Sequence, residues 1–481
     1  MDIGTLCSLC LNVFNMFPEG FIKRISKQKY IESAFLLRSL EEPSPVSLRI
    51  NPSKWPLKPA ESIPVPWASS GYYLAKRPSY TADPLFHAGC YYPQEASSMF
   101  IEEVFKQFVD NSEPIKVLDL CGAPGGKSTH LSDLIGPGNL LVANEVIRSR
   151  ASILSETLTK WGAGNVIVTQ SDPSAFGRLA GYFDVVLADA PCSGEGMFRT
   201  ATALNEWSEA NATLCSERQK RIIQDVWPTL KDNGLLIYST CTFNPSENEE
   251  NIKWIEGRYE SEIQKINVSD YSKIQEIDIG GVAGYGFYPD KIKGEGFFIS
   301  VLRKRGGEKN RQHHPEKQAE LKPSKHEVES VKSWTNLSNE KLIKWGDQIW
   351  GLPCSHEEYY QLFQNLKIVK AGTLIAFVKR NDFIPSHDLA LASTSRSGTF
   401  PVEELGYDDA VAYLRRDNLK ITAGSIGWNI VSYRGVNLGY IKNIGNRLNN
   451  YYPVNWRIRM NIPVNSEQDL IKWEQGDVRN S

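Results

Sequence analysis

At 481 residues the chain exceeds one ordinary core, and roughly three domains are expected. Its 41% hydrophobic and 23% charged residues exclude global disorder, and a formal net charge of -2 excludes a protein that holds nucleic acid by positive charge along its whole length. Eight scattered cysteines exclude the disulfide framework of a small secreted domain, and no run of about 18 apolar residues is present to span a membrane, so a cytoplasmic protein is expected.

In chain order, the first segment holds Cys7-Ser-Leu-Cys10, half of a zinc site with no second pair at ligand spacing, and it lacks a basic leader before an apolar run. No metal is expected. A helix is predicted over Ile22 to Leu40, beside a basic cluster of Lys23, Arg24, Lys27 and Lys29, followed by an extended stretch with Pro43, Pro45, Pro52, Pro56 and Pro59. From about 115 to 302, short β-branched runs alternate with helix-length segments, the pattern of crossover units on a mainly parallel sheet. Predicted strands are Lys116 to Leu120, Leu140 to Asn144, Val166 to Thr169, Asp184 to Ala188, Leu235 to Ser239 and Phe297 to Leu302. Helices are predicted from Lys127, Ile147, Asn205 and Ser246, the last opening on a capping box of Ser246 and Glu249.

Residues 304 to 327 are polar and nearly free of large apolar side chains, and read as a linker. Beyond it, the runs Thr373 to Val378, Trp428 to Tyr433 and Leu438 to Ile441 suggest a small strand-rich fold, with Lys442, Arg447, Arg457 and Arg459 as a second basic cluster. The expected divisions are a small N-terminal accessory domain at 1–80, a central α/β domain at 81–303, a linker at 304–330 and a C-terminal region at 331–481.

The run Val117-Leu-Asp-Leu-Cys121-Gly122-Ala123-Pro124-Gly125-Gly126-Lys127-Ser128 sets a glycine-rich turn between a strand and a helix, where backbone can approach a ligand closely. Its spacing departs from a P-loop, because three residues separate Gly122 from Gly126 and Cys121 stands where that loop needs glycine. The dinucleotide fingerprint is absent too. Glu145 ends the second strand, where a carboxylate can accept both ribose hydroxyls; Asp172, after the third, is placed to face an adenine or to cap a helix.

Two more strand ends carry reactive groups: Asp189-Ala-Pro-Cys192-Ser-Gly-Glu-Gly196 and Ser239-Thr-Cys241-Thr-Phe-Asn-Pro245. Ligands of an open α/β sheet sit at the carboxyl ends of its strands, so the glycine loop, Asp189, Cys192 and Cys241 should converge on one crevice. A lone cysteine is commonly a buried hydrophobe, but two in Ser/Thr-flanked turns at strand ends point to thiolate chemistry. One could add to an electron-poor ring and the other serve release.

These motifs resemble the signatures of the Nol/Nop/Sun RNA cytosine-5 methyltransferases: Cys-Gly-Ala-Pro-Gly-Gly-Lys-Ser at 121–128, Asp-Ala-Pro-Cys-Ser-Gly-Glu-Gly at 189–196 and Ser-Thr-Cys-Thr-Phe-Asn-Pro-Ser-Glu-Asn-Glu at 239–249. The resemblance implies S-adenosylmethionine as cofactor, contacted by Cys121, Gly122, Ala123, Pro124, Gly125, Gly126, Lys127, Glu145, Asp172 and Asp189. It implies catalytic roles for Cys241 as nucleophile at cytosine C6, Cys192 as the cysteine assisting release, and Asp189 at the ring edge. Val46-Ser-Leu-Arg-Ile-Asn-Pro52 and Tyr92-Pro-Gln-Glu-Ala96 are similar to segments that precede the catalytic domain in this family. Trp345-Gly-Asp-Gln-Ile-Trp-Gly-Leu-Pro353, Pro385-Ser-His387 and Leu438 through Arg447 resemble the C-terminal extension of the RsmF-type small-subunit ribosomal-RNA enzymes, which includes a PUA-like module.

The implied fold class is α/β: a Rossmann-like methyltransferase domain with a small N-terminal α+β domain and a strand-rich C-terminal PUA-like region. The implied partner is 16S ribosomal RNA or the small subunit, with no membrane and a monomeric chain. Rival readings are cytosine-5 methylation of transfer RNA or DNA, and a non-catalytic RNA-binding assembly factor.

Overall fold

The computed structural model describes residues 16–110, 112–306, 322–338, 341–380, 382–419, 424–463 and 466–474. Cys7 and Cys10, and most of the expected linker, lie outside the described residues.

The N-terminal part packs helices Glu19–Ile25 and Ser33–Glu41 ahead of an antiparallel sheet of β1 (Val46–Ile50), β2 (Ile63–Pro64), β3 (Gly71–Leu74) and β4 (Tyr91–Tyr92), in the order β2-β3-β1-β4. Strand β4 carries this sheet past residue 80 to Tyr92.

The central sheet is built from β5 (Lys116–Asp119), β6 (Leu140–Asn144), β7 (Val166–Thr169), β8 (Phe183–Asp189) and β9 (Leu230–Thr240), all parallel and ordered β9-β8-β5-β6-β7. Their side chains alternate between two cores. Val117, Leu141, Val168, Val185 and Ile237 enter one, and Leu118, Val142, Ile167, Val186 and Leu236 the other. Burial on both faces is why these strands read as continuous apolar runs. Antiparallel strands β10 (Ser261–Ile263), β11 (Gln275–Asp278), β12 (Val282–Phe287) and β13 (Phe297–Lys304) extend the sheet beyond β9. The chain leaves β5 in one direction through β6 and β7 and returns to its other side at β8, which opens a crevice at the carboxyl ends of β5 and β8. This is a Rossmann-like domain.

Past the linker, a helix over Lys325–Val331 begins inside the stretch expected as 304–330, capped by Ser324 and Glu327. There follow β14 (Leu342–Trp345), β15 (Gln348–Gly351), β16 (Ile368–Ala371), β17 (Thr373–Lys379) and β18 (Asp382–Pro385), then β19 (Val402–Glu404), β20 (Gly427–Tyr433), β21 (Val436–Asn443) and β22 (Leu448–Asn450). They form two four-stranded sheets, β14-β15-β17-β18 and β19-β20-β21-β22, but β16 pairs antiparallel with β7 at the edge of the central sheet. The last module also shares a core with the first: Val431, Ile441 and Tyr452 pack with Leu48, Ile50, Leu85 and Tyr91.

Three predicted helices differ. The helix over Ile22 to Leu40 is two helices, because Tyr30 between them bonds to the Asp278 carbonyl (2.7 Å) and accepts Lys291 Nζ at its own carbonyl (3.1 Å). The helix from Asn205 is a short turn over Ala201–Glu206 and a second helix over Glu209–Val226 capped by Ser208. The helix from Ser246 starts at Glu249 without its capping box, since Glu247 and Asn248 are drawn to the β8 and β9 loops. Among the described residues, no helix is long and apolar enough to cross a membrane.

Candidate active site

The five parallel strands deliver their chemistry to one edge. In sheet order the carboxyl ends present Cys241 after β9, Asp189 and Cys192 after β8, the 121–127 loop after β5, Glu145 after β6 and Asp172 after β7.

The glycine loop bends where side chains would not fit. Gly125 has φ of 119°, and a Cβ there would lie 2.7 Å from Thr157; a Cβ on Gly122 would lie 2.7 Å from Ser128 Oγ. The helix Gly126–Ile135 opens without a side-chain cap, which leaves first-turn amides for an anionic group. Arg49 of β1, fully buried, fixes that turn from behind: it donates to Thr129 Oγ1 and Asp133 Oδ2, both at 2.6 Å, and stacks 4.4 Å from the Trp161 ring. Thr129 Oγ1 in turn donates to the Gly126 carbonyl at 3.0 Å.

Glu145 is buried at the end of β6; Oε1 accepts the Ile147 amide (3.0 Å) and Oε2 lies 3.4 Å from Arg150, which also donates to the Ala123 carbonyl. Asp119 lies beneath the loop. Its Oδ2 accepts from Ser128 Oγ (2.6 Å), whereas its Oδ1 is buried without a partner. Burial pushes the Asp119 carboxyl up to about 7, and likewise keeps the Cys121 thiol neutral. Asp172 is exposed and caps the short helix Pro173–Phe176, accepting from Ser174 through both its amide and hydroxyl.

These side chains fit the cofactor expected from the sequence. Uncapped amides suit an amino-acid carboxylate, the Glu145 carboxylate suits a ribose diol, and the orphaned Asp119 oxygen leaves one buried acceptor for a cationic ligand.

Across the crevice, Asp189 Oδ2 accepts from Lys127 Nζ at 2.9 Å and Oδ1 from Ser239 Oγ at 2.8 Å. Burial alone would lower the Lys127 ammonium, but the Asp189 charge and hydrogen bond hold it above its ordinary value. Cys192 Sγ and Cys241 Sγ are 3.0 Å apart, and the Cys241 amide also donates to Cys192 Sγ at 3.3 Å. The hydrogen bond with Cys241, together with burial, pushes the Cys192 thiol well above its ordinary value. Cys192 is therefore a thiol that holds its proton, within reach of Cys241 Sγ.

Sequence reasoning missed the groups that lock the two cysteine loops together. Glu247 accepts from the Ser193 amide (2.9 Å), the Ser193 hydroxyl and Gln219 Nε2 (3.1 Å), and Ser193 Oγ meets Thr242 Oγ1 at 3.0 Å. Glu195, fully buried, accepts from the Phe243 amide, Trp207 Nε1 and Arg24. The Gly196 amide donates to the Cys241 carbonyl at 2.9 Å. The available signal was the density of Ser, Thr, Asn and Glu in the 239–249 motif, eight of eleven residues, which exceeds what turns alone need.

Comparison with known proteins places the chain in a family. Residues 107–303 match the model for the 16S rRNA methyltransferase RsmB/F family, 17–96 that for the N-terminal domain of 16S rRNA methyltransferase RsmF, and 400–458 that for the methyltransferase RsmF PUA domain. Ribosomal RNA small subunit methyltransferase F of Klebsiella pneumoniae is 29% identical over 91% of this chain and 96% of its own length. The protein of that name from Shewanella piezotolerans is 30% identical over 81% of this chain and 84% of its own. A solved methyltransferase homolog from Pyrococcus horikoshii, 28% identical, superposes with a TM-score of 0.52 over 62% of this chain and all of its own. With all three parts matched in order and the relatives covered nearly end to end, the chain belongs to the ribosomal RNA small subunit methyltransferase F family.

Proposed function

We propose that this S-adenosylmethionine-dependent methyltransferase places a methyl group on C5 of a cytosine in 16S ribosomal RNA, with Cys241 as nucleophile and Cys192 assisting release. The observation that carries the reading is the thiol pair, 3.0 Å apart at the ends of adjacent strands and beside Asp189. The Cys121 to Lys127 loop, Glu145, Asp172 and Asp189 would hold the cofactor, which when bound supplies an electrophilic methyl group.

The chain's own residues then have separate tasks. C5 of cytosine is a poor nucleophile until the Cys241 thiolate adds to C6 and turns the ring into an enamine. Asp189, fixed by Lys127 and Ser239, faces the charge developing at N3 and the exocyclic amine. Cys192 keeps its proton during this addition. Once the Cys241 sulfur is bonded to carbon, Cys192 gives its proton to water and then takes the C5 proton as the Cys241–C6 bond breaks and its electron pair returns to the Cys241 sulfur. Residues 81–303 would perform this chemistry, with 1–80 as accessory domain and 331–481 supplying affinity for RNA.

Incubation of unmethylated small-subunit RNA with the protein and isotopically labelled cofactor, followed by nucleoside mass spectrometry, should place the label in 5-methylcytidine. Label in another nucleoside, or label only when transfer RNA or DNA is supplied in place of small-subunit RNA, would contradict the reading.

A further inference from the structure

The helix Glu19–Ile25, remote in sequence from both cysteines, lies against their loops. Arg24 Nη2 pairs with Glu195 Oε1, and Arg24 Nη1 donates to Gln28 Oε1 (2.9 Å) and to the Phe243 carbonyl (3.4 Å). Gln28 Nε2 donates to the same carbonyl at 2.8 Å, and the Phe243 amide donates to Glu195 Oε2 at 3.3 Å. Both backbone polar groups of Phe243, two residues after Cys241, are thus held by side chains. Glu195, three residues after Cys192, is fully buried, and its cationic partner is only about a quarter exposed. Phe21 and Ile25 of the helix pack with Phe198 and Phe243.

A buried carboxylate without a cation is costly, so removing Arg24 would force Glu195 to move or admit water, and would loosen the hold of Glu195 and Gln28 on the Phe243 backbone. We infer that Arg24 is a positioning residue: by neutralising Glu195 and orienting Gln28 it sets the Cys241 loop against the Cys192 loop. The basic cluster of Lys23, Arg24, Lys27 and Lys29 therefore does not act through Arg24 as an RNA contact. That Cys241 is the thiol served rests on the proposed function; the bridge between the two loops does not.

The test uses the full chain with unmethylated 16S ribosomal RNA, comparing single-turnover methyl transfer with equilibrium RNA binding at several salt concentrations. Arg24→Met should slow transfer by about 100-fold, the scale on which a small misplacement of reacting groups acts, with RNA affinity and its salt slope unchanged. Arg24→Lys should recover part of the rate, and Glu195→Gln in the Arg24→Met background should recover more by removing the unpaired charge. Gln28→Ala, which unpairs no charge, gives the same split in a milder form should Arg24→Met fail to fold. An unchanged rate with weaker binding and a shallower salt slope would make Arg24 a phosphate contact and overturn the inference. A slow Arg24→Met variant that Glu195→Gln does not relieve would overturn it as well. Cys241→Ala run in parallel separates the two questions: transfer by that variant would remove the nucleophile assignment while leaving the Arg24 result readable.

Discussion

Glu145 and Asp119 are buried carboxyl groups on which the proposed cofactor site rests. Glu145 is buried with one oxygen held by a backbone amide and the other 3.4 Å from Arg150, so Glu145→Ala should cost about 1 to 3 kcal/mol of cofactor affinity. Calorimetric titration checks this, and unchanged affinity would remove Glu145 from the site. Asp119 gives a pH signature. Its carboxyl sits at about 7, above the ordinary 3.8, so the folded chain holds a proton that the unfolded chain releases between those values. The Asp119 contribution to stability is therefore fully present below pH 3.8 and is lost as pH rises through 7. Asp119→Asn should lessen the decline in stability across that window, measured as thermal unfolding without cofactor; an unaltered decline would place the titrating group elsewhere. The placement of Glu145, the glycine loop and both cysteines at strand ends was legible in the sequence because a strand followed by a turn of special residues announces itself locally. Arg24, Arg49, Glu195 and Glu247 were not, since each acts on a partner distant in the chain and looks like an ordinary surface charge in one dimension.

At the scale of elements, the parallel strands were readable for a physical reason: burial on both faces demands unbroken β-branched and aliphatic runs. The helices that broke did so where tertiary bonds outweighed local propensity, through Tyr30 to Asp278, Trp207 to Glu195, and Glu247 to Ser193. Strand β16 was invisible, because the edge of β7 that it covers is specified by nothing near Ile368 to Ala371 in sequence. It is anchored by the ion pair of Lys370 with Asp388, both largely buried, and by the Lys367 amide bonded to Ser171 Oγ at 2.9 Å. Lys370→Met would leave the Asp388 carboxylate buried without its cation, at a cost of about 3 kcal/mol. Denaturant unfolding measures that loss, and adding Asp388→Asn should restore part of it. A loss under 1 kcal/mol, about the worth of a surface pair, would show that β16 is held mainly by its ladder.

The whole molecule is more tightly joined than a string of modules. Among the described residues the first and last parts share one core, and β16 adds a strand to the edge of the central sheet. The proposed chemistry turns on the timing of two thiols. Cys241 should bond to C6 first, and Cys192 should act only after methylation, so Cys192→Ala should trap the RNA on Cys241. A denaturing gel of protein incubated with 16S ribosomal RNA and cofactor measures this directly. The account predicts a slow-migrating, nuclease-sensitive band for Cys192→Ala and none for Cys241→Ala or the double variant. A band with Cys241→Ala and none with Cys192→Ala would move the nucleophile to the Pro-Cys turn, and full methylation by both single variants without any band would contradict covalent catalysis by either thiol.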